Sequence, residues 1–498
     1  MRPAAAECPS PPLKVLLVSH DFLPSHPAGV EIYTYQFGKA LQARGHDVQV
    51  FTTEKDIGRK NLSIEVRDEG GLPVHELFNN LYYNDFVETY DYPAAASSFG
   101  LLLDDFKPDV VHFMHLLYLS VACVEEVNKR GIPVYYTLHD YWLQCAWFGQ
   151  RRFLDGSICH EIDFEKCGVC LKNFKYKQTK LERAGGKFIA TLREKTGLDL
   201  GEMARGVQRG FKVRAAKAES AEGKAVRRQA LADDWRTGIT PETSAIAKQV
   251  AVRAESLYRR ILPGVNRFIA PSQFLRNKFL EWGIPEGQID HMRTGIDLAM
   301  FEGYQHKPAK HLRVTFIGTI APHKGAHLLL QAWQRIEPQV RGDATLRIFG
   351  PPSHNPTYVS KLEHLSLASG ATLEGRLARE AVSDALAETD LLVVPSIWYE
   401  NSPLIILEAL ATKTPLVVSD LGGMAELVEP GRTGFHFEMG SSEDLERVLR
   451  DCLSNPAQLD DLYGEDVVVR NVTEDAAAME ISYRAEIRAR VEAESVAQ

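Results

Sequence analysis

The chain has 498 residues, 45% of them hydrophobic, and a formal net charge of −9 at neutral pH. That length allows roughly two to four domains with real cores, and the acidic balance argues against a nucleic-acid binder. No signal-peptide core and no run of about 18 apolar residues is present. Seven cysteines are too few for a disulfide scaffold, so a reduced, cytoplasmic setting is expected.

Leu13-Lys14-Val15-Leu16-Leu17-Val18-Ser19 is an apolar run of the kind that opens a parallel sheet. The loop from His20 to Glu31 follows, then a helical pattern from about Ile32 to Ala43, stopped by Arg44-Gly45-His46, and a strand from Asp47 to Phe51. Strand, glycine-bearing loop, helix and strand make one half of a nucleotide-binding α/β unit. Gly29 reads as a turn with positive φ or as a place where backbone comes close to a ligand. Further strands are expected at residues 110–113, 134–138 and 267–270.

Four of the seven cysteines, Cys145, Cys159, Cys167 and Cys170, follow in Cys-x13-Cys-x7-Cys-x2-Cys spacing. Cys167-Gly168-Val169-Cys170 suits a hairpin knuckle that holds structural Zn²⁺. An iron–sulfur site, a redox pair and unliganded thiols are the alternatives. From Leu171 to Val265 the chain carries 21 Lys/Arg against 10 Asp/Glu. This stretch reads as a helical, basic insertion, either simply solvated or offering a face to an anionic membrane surface or lipid-phosphate acceptor.

After about Gly303 the composition resets. A second opening strand is expected at residues 313–318, then the loop Thr319 to Gly325, a helix at 327–336, and strands at 345–349, 391–394 and 415–418. Two such α/β units face each other across a cleft, with strand C-terminal ends on both sides. The stretch from Pro395 to Ala411 then carries the chemistry. Ser402 suits an N-cap and Pro403 the first helical position, so the N–H groups of Leu404 and Ile405 are free for a phosphate. Glu400 lies in the preceding loop and Glu408 about two turns into the helix, two acids at different depths around one anion site.

Glu400 to Glu408 is a Glu-x7-Glu pair inside Pro-Ser-x-Trp-Tyr-Glu-Asn-Ser-Pro-Leu, which resembles the signature of retaining family 4 glycosyltransferases. Ala28-Gly29-Val30-Glu31, Thr137-Leu138-His139-Asp140, Ala270-Pro271-Ser272, Lys324-Gly325 and Ser419 to Glu426 match in family order, covering roughly residues 13–160 and 262–470. The resemblance implies an α/β GT-B fold of two Rossmann-like domains. Residues 1–304 form the acceptor-side domain, with the cysteine-rich loop at 145–170 and the basic insertion at 171–265. Residues 305–470 form the nucleotide-sugar domain, and residues 471–498 a C-terminal helix packing back on the first.

It further implies a nucleotide-diphosphate sugar donor, UDP- or GDP-linked, a glycan or lipid-linked acceptor, and no catalytic metal. Glu408 would bind the ribose hydroxyls and Glu400 the transferred sugar; Asn401, Ser402, Leu404 and Ile405 would line the donor site. Lys324 would neutralise the leaving diphosphate, Gly29 would let the first-domain loop approach it, and His139 would contact the sugar or its β-phosphate. Thr319 stands where many members carry arginine, so Arg293 or His323 is expected to make up the charge. The turn Arg293-Thr294-Gly295-Ile296-Asp297 and Ala28 also depart from the family pattern. A sugar-nucleotide epimerase, or a non-catalytic nucleotide-sugar or glycan-binding protein, would use the same scaffold. Bacterial polysaccharide or cell-envelope glycan synthesis is the expected setting, in the cytoplasm or at the inner face of the membrane.

Overall fold

The computed structural model describes residues 11–196, 234–352, 355–464 and 467–497. The first sheet contains β1 (Lys14–Val18), β2 (Asp47–Glu54), β3 (Ile64–Glu69), β4 (Leu72–Phe78), β5 (Val110–Phe113), β6 (Val134–Thr137), β7 (Arg267–Ala270) and β8 (Ile289–His291). Their order is β3-β4-β2-β1-β5-β6-β7-β8, and only β3 runs antiparallel to its neighbour. The second sheet contains β9 (Arg313–Ile317), β10 (Thr345–Phe349), β11 (Thr372–Gly375), β12 (Leu391–Val394), β13 (Leu416–Ser419) and β14 (Gly434–Phe437). Its order is β11-β10-β9-β12-β13-β14, all parallel. β5, β6, β12 and β13 are buried along their whole length, because helices cover both faces of a parallel sheet.

The strand order reverses beside β1/β5 in one sheet and β9/β12 in the other. Loops that leave adjacent strands in opposite directions open a crevice there. The loops after β1, β5 and β6 carry His20, His115 and His139; those after β9 and β12 carry Lys324 and Glu400. Topology alone therefore assembles the site.

One departure from the sequence reading concerns the basic insertion. Its centre, residues 197–233, lies outside the described residues. Its C-terminal part is core: the Pro241–Ile261 helix buries Val250, Leu257 and Ile261 among first-domain residues. It lies so close to the Phe164–Leu171 helix that a Cβ on Gly168 would fall 2.1 Å from the Thr243 carbonyl oxygen. That packing rules out a solvated insertion for 241–261, although the Lys180–Thr196 helix is largely exposed.

The chain crosses back at its end. Val472, Ala476, Met479 and Tyr483 of the Val472–Ala497 helix join the core beneath β1, β5 and β6, and the Tyr483 hydroxyl meets His112 Nδ1 at 2.5 Å. The two domains also touch directly beside the cleft. Tyr399, from the second, packs at a tilt against Phe274, with ring centroids 4.9 Å apart, and its hydroxyl reaches His160 Nδ1 at 2.7 Å. Glu426 accepts from the Gln273 N–H at 2.8 Å. Among the described residues no helix is long and apolar enough to cross a membrane.

Candidate active site

A cleft of about 860 Å³ runs between the domains. Its second-domain wall is built on two loops locked together. Gly325 has φ +74°, and a Cβ there would lie 1.8 Å from the Pro395 carbonyl oxygen, so only glycine lets the Lys324 turn seat against the loop after β12. The consequence is an ion pair between Lys324 Nζ and Glu400 Oε1 at 2.5 Å. Ser396 Oγ donates to the same carboxylate oxygen at 2.9 Å. Glu400 is buried, which opposes its ionisation, but the Lys324 charge and the hydrogen bonds outweigh burial and hold its carboxyl below the usual range.

The second acid sits deeper. The helix carrying it is Leu404–Ala411, with Pro403 rather than Ser402 as its N-cap, so it begins one residue later than the sequence suggested. The Ser402 hydroxyl is buried with no hydrogen-bond partner. Leu404 and Ile405 line the cleft with first-turn N–H groups that no helix can satisfy internally. Glu408, only 2% exposed, pairs with Arg379. Burial still raises its pKa against the arginine's pull, so this carboxylate has donors to gain from a ligand.

The charge absent at Thr319 is not supplied by the residues the sequence suggested. Thr319 lines the cleft and brings no charge. His323 does not supply one, since burial, then Lys324, pushes it down to about 3, and it packs against Trp398 at 5.1 Å. Arg293 is exposed and absent from the cleft wall. The cations present are Arg379 and Arg376, from the segment after β11. No motif marks either in the sequence.

The first-domain wall differs in kind. Gly29 is the first residue of the Gly29–Ala43 helix, three residues ahead of the expected start, and its φ is not left-handed. The turn reading is therefore overturned. A Cβ at Gly29 would meet nothing within 4 Å, which leaves open space toward the cleft. His139 lies on the same wall with Nε2 buried and unpartnered, while its carbonyl accepts from Asn401 Nδ2 at 2.7 Å. Burial, then His115, pushes His139 down to about 3, so its ring is neutral. Sequence reading missed a group beside it. His20 Nδ1 is 3.7 Å from Glu31 Oε1, His20 Nε2 is 3.6 Å from Asp21, and His115 Nε2 is 3.0 Å from Asp140. Glu31 and Asp140 stand in matched segments that gave them no role, and His20, Asp21 and His115 carry no motif; the chain turns after β1, β5 and β6 bring them together.

The four cysteines lie in the segment that follows β6, but not as expected. Cys167 and Cys170 sit one turn apart on the Phe164–Leu171 helix, capped by Asp163, and not in a hairpin. Cys159 follows a small hairpin closed by an Arg152–Ile158 bridge. Burial raises all four thiol pKa values, Cys167 to about 12, and neighbouring cysteines raise three of them further. Among the described residues no three His, Cys, Asp or Glu side chains are grouped as a metal site.

Two Rossmann-like domains, with paired acids, paired cations and an open helix terminus across their cleft, define the GT-B glycosyltransferase scaffold. This chain belongs to the group 1, family 4 glycosyltransferases: residues 304–465 match Glycosyl transferases group 1 and residues 27–158 match Glycosyltransferase Family 4. It is similar to a D-inositol 3-phosphate glycosyltransferase of Rhodococcus jostii, 29% identical over 258 residues covering 48% of this chain and 54% of that one. A glycogen synthase of Mycobacterium tuberculosis is 29% identical over 171 residues, covering 34% and 41%. The chain spans about half the length of the curated relatives it matches. Its fold resembles sucrose-phosphate synthase from Thermosynechococcus elongatus at a TM-score of 0.61, 17% identity and coverage of 96% and 100%. Anabaena HepE in complex with UDP and glucose superposes at 0.54, with 16% identity and coverage of 97% and 100%.

Proposed function

We propose that the protein is a retaining glycosyltransferase that moves a hexose-type sugar from a UDP- or GDP-linked donor to a glycan or lipid-linked acceptor, in bacterial polysaccharide or envelope-glycan synthesis. The observation that carries this reading is the second-domain wall, where Glu400 and Glu408 are each matched to a cation within a few residues of an open helix terminus. A departing nucleoside diphosphate gains negative charge as the glycosidic bond breaks. Lys324, Arg379 and the Leu404 and Ile405 N–H groups meet that charge, with no need for a metal. Glu408 accepts the ribose hydroxyls, which supply the donors its burial calls for. Glu400, held by Lys324 and Ser396, accepts hydroxyls of the transferred sugar, and neutral His139 turns its free Nε2 toward it. Gly29 leaves room for the diphosphate. Departure and attack occur on one face of the sugar, with the leaving phosphate oxygen taking the acceptor proton.

A panel of nucleotide sugars tested by thermal shift identifies the donor, because a ligand at 100 times its Kd adds about 2.7 kcal/mol of stability. Incubation with that donor alone then separates the classes. Slow hydrolysis fits a transferase, an epimerised donor would make it an epimerase, and binding without turnover a non-catalytic protein. For the four thiols we propose a structural Zn²⁺ that braces the first-domain wall; their chemistry suits it, although their placement here does not gather them as ligands. Less than about 0.2 zinc per purified chain, with activity insensitive to a strong chelator, would remove that idea. We place the enzyme in the cytoplasm, with the 171–265 stretch touching anionic membrane. Equal co-sedimentation with anionic and neutral vesicles would contradict that contact.

A further inference from the structure

The first-domain wall holds buried polar atoms that the donor chemistry leaves unused. Glu31 is 2% exposed and its Oε2 has no hydrogen-bond partner. His20 Nδ1, 3.7 Å from the other carboxylate oxygen, is likewise buried and unpartnered. His20, Glu31 and His139 all line the cleft. Leaving two such atoms unsatisfied is costly, and both side chains belong to the cleft lining, which marks a site for a hydroxylated ligand.

Charge narrows the ligand further. Every cation lining the cleft among the described residues, Lys324, Arg376 and Arg379, comes from the second domain. The first-domain lining contains acids, Glu31 and Asp140, and no lysine or arginine. Asp21 and Glu54 stand behind them, and the one ionised base facing this group, His26, is 3.4 Å from Glu54 and 4.0 Å from Asp21. Its pKa rises to about 9, chiefly through the Glu54 hydrogen bond, so its charge is already engaged. A phosphate here would find carboxylates and neutral imidazoles, not the guanidinium or ammonium groups that recognise phosphates.

We propose that Glu31 and His20 form the acceptor subsite, and that this subsite selects an uncharged sugar hydroxyl over a phosphorylated sugar. The inference rests on the glycosyltransferase reading above. In the transfer, the bond from the anomeric carbon to the acceptor oxygen forms as the bond to the diphosphate breaks. The acceptor proton goes to the released nucleoside diphosphate. Glu31 accepts a hydrogen bond from the incoming hydroxyl, and His20 Nδ1 pairs with a neighbouring hydroxyl of the same sugar. Glu31 thus touches the acceptor without taking its proton.

Matched acceptor pairs test this, each with the donor selected by thermal shift: glucose and glucose 6-phosphate, mannose and mannose 6-phosphate, myo-inositol and its 3-phosphate. Transfer to the neutral member should exceed transfer to its phosphorylated partner at least tenfold. Glu31→Gln should lower transfer at least thirtyfold through the acceptor KM and rate, while donor Kd stays within twofold of wild type. Equal or faster transfer to the phosphorylated members would overturn the proposal, as would unaltered transfer by Glu31→Gln or intact donor hydrolysis with no transfer to any neutral acceptor. Loss of donor hydrolysis in the wild-type enzyme would instead sink the glycosyltransferase reading itself.

Discussion

The two walls of the cleft use the same residue types in opposite ways. On the second-domain wall each acid has a cation: Glu400 has Lys324 and Glu408 has Arg379. On the first-domain wall Glu31 has no lysine or arginine in the lining beside it, its Oε1 lies 3.7 Å from the neutral His20, and its Oε2 is unpartnered. Carboxylate pKa values follow this difference. Glu400 is held down by its cation, whereas burial lifts Asp21 from 3.8 to about 6 and Glu31 from 4.5 to about 7. Matched charge suits an anionic leaving group, and unmatched polarity suits hydroxyls. On the function proposed above, the difference gives one substrate to each wall.

The strongest way to break the comparison is to remove the matching. Lys324→Ala should lower the transfer rate by about 10²–10³-fold, the usual cost of losing one positioned charge at a developing anion. Arg379→Ala leaves Glu408 buried beside nothing, and should weaken donor binding and destabilise the fold by about 1–3 kcal/mol. Isothermal titration and chemical denaturation read the two effects separately. Wild-type rates in Lys324→Ala would dissolve the distinction between the walls.

Next in size is the lock between the loops. Gly325→Ala meets both a left-handed φ and the Pro395 carbonyl, so a loss of about 2–4 kcal/mol is expected, together with slower turnover as Lys324 shifts from Glu400. Urea denaturation at one pH measures it. A smaller effect of opposite sign comes from the other wall. The raised pKa values of Glu31 and Asp21 mean that the unfolded chain ionises first, so stability falls as pH rises from about 4 to about 7. Glu31→Gln should therefore be more stable than wild type by about 1–3 kcal/mol at pH 8, with the difference closing near pH 4. A variant less stable at pH 8 would show that Glu31 is satisfied by its surroundings. The smallest effect belongs to the contact between domains: Tyr399→Phe loses only the His160 hydrogen bond, about 1 kcal/mol by melting.

How much of this was legible in the sequence follows the same division. The opening strands were legible because parallel strands covered on both faces are nearly continuous apolar runs, as Leu13 to Ser19 and Val314 to Ile317 are. Glu400, Glu408 and Lys324 were legible because short segments in fixed order carry them. Arg379 was not, being one of 57 basic residues in a loop without a pattern; only its approach to Glu408 in three dimensions reveals it. The Gly29 helix began earlier than expected because Gly29-Val30-Glu31 carries no N-cap side chain or apolar stripe to announce a start. Cys167-Gly168-Val169-Cys170 was misread as a hairpin because two cysteines three apart fit a knuckle and a helical turn equally well. His20 and Glu31 gain their character from burial by loops far apart in the chain, which no local pattern records.

The central claim is that Glu408, matched to Arg379, binds the donor nucleotide. Its most direct test is calorimetric titration of the nucleotide sugar chosen by thermal shift into wild-type protein and Glu408→Ala, with Glu31→Gln as the control from the opposite wall. Glu408→Ala should lose at least a hundredfold in affinity, about 2.7 kcal/mol, and Glu31→Gln should change less than twofold. Unchanged affinity in Glu408→Ala, in a variant that folds, would contradict the claim.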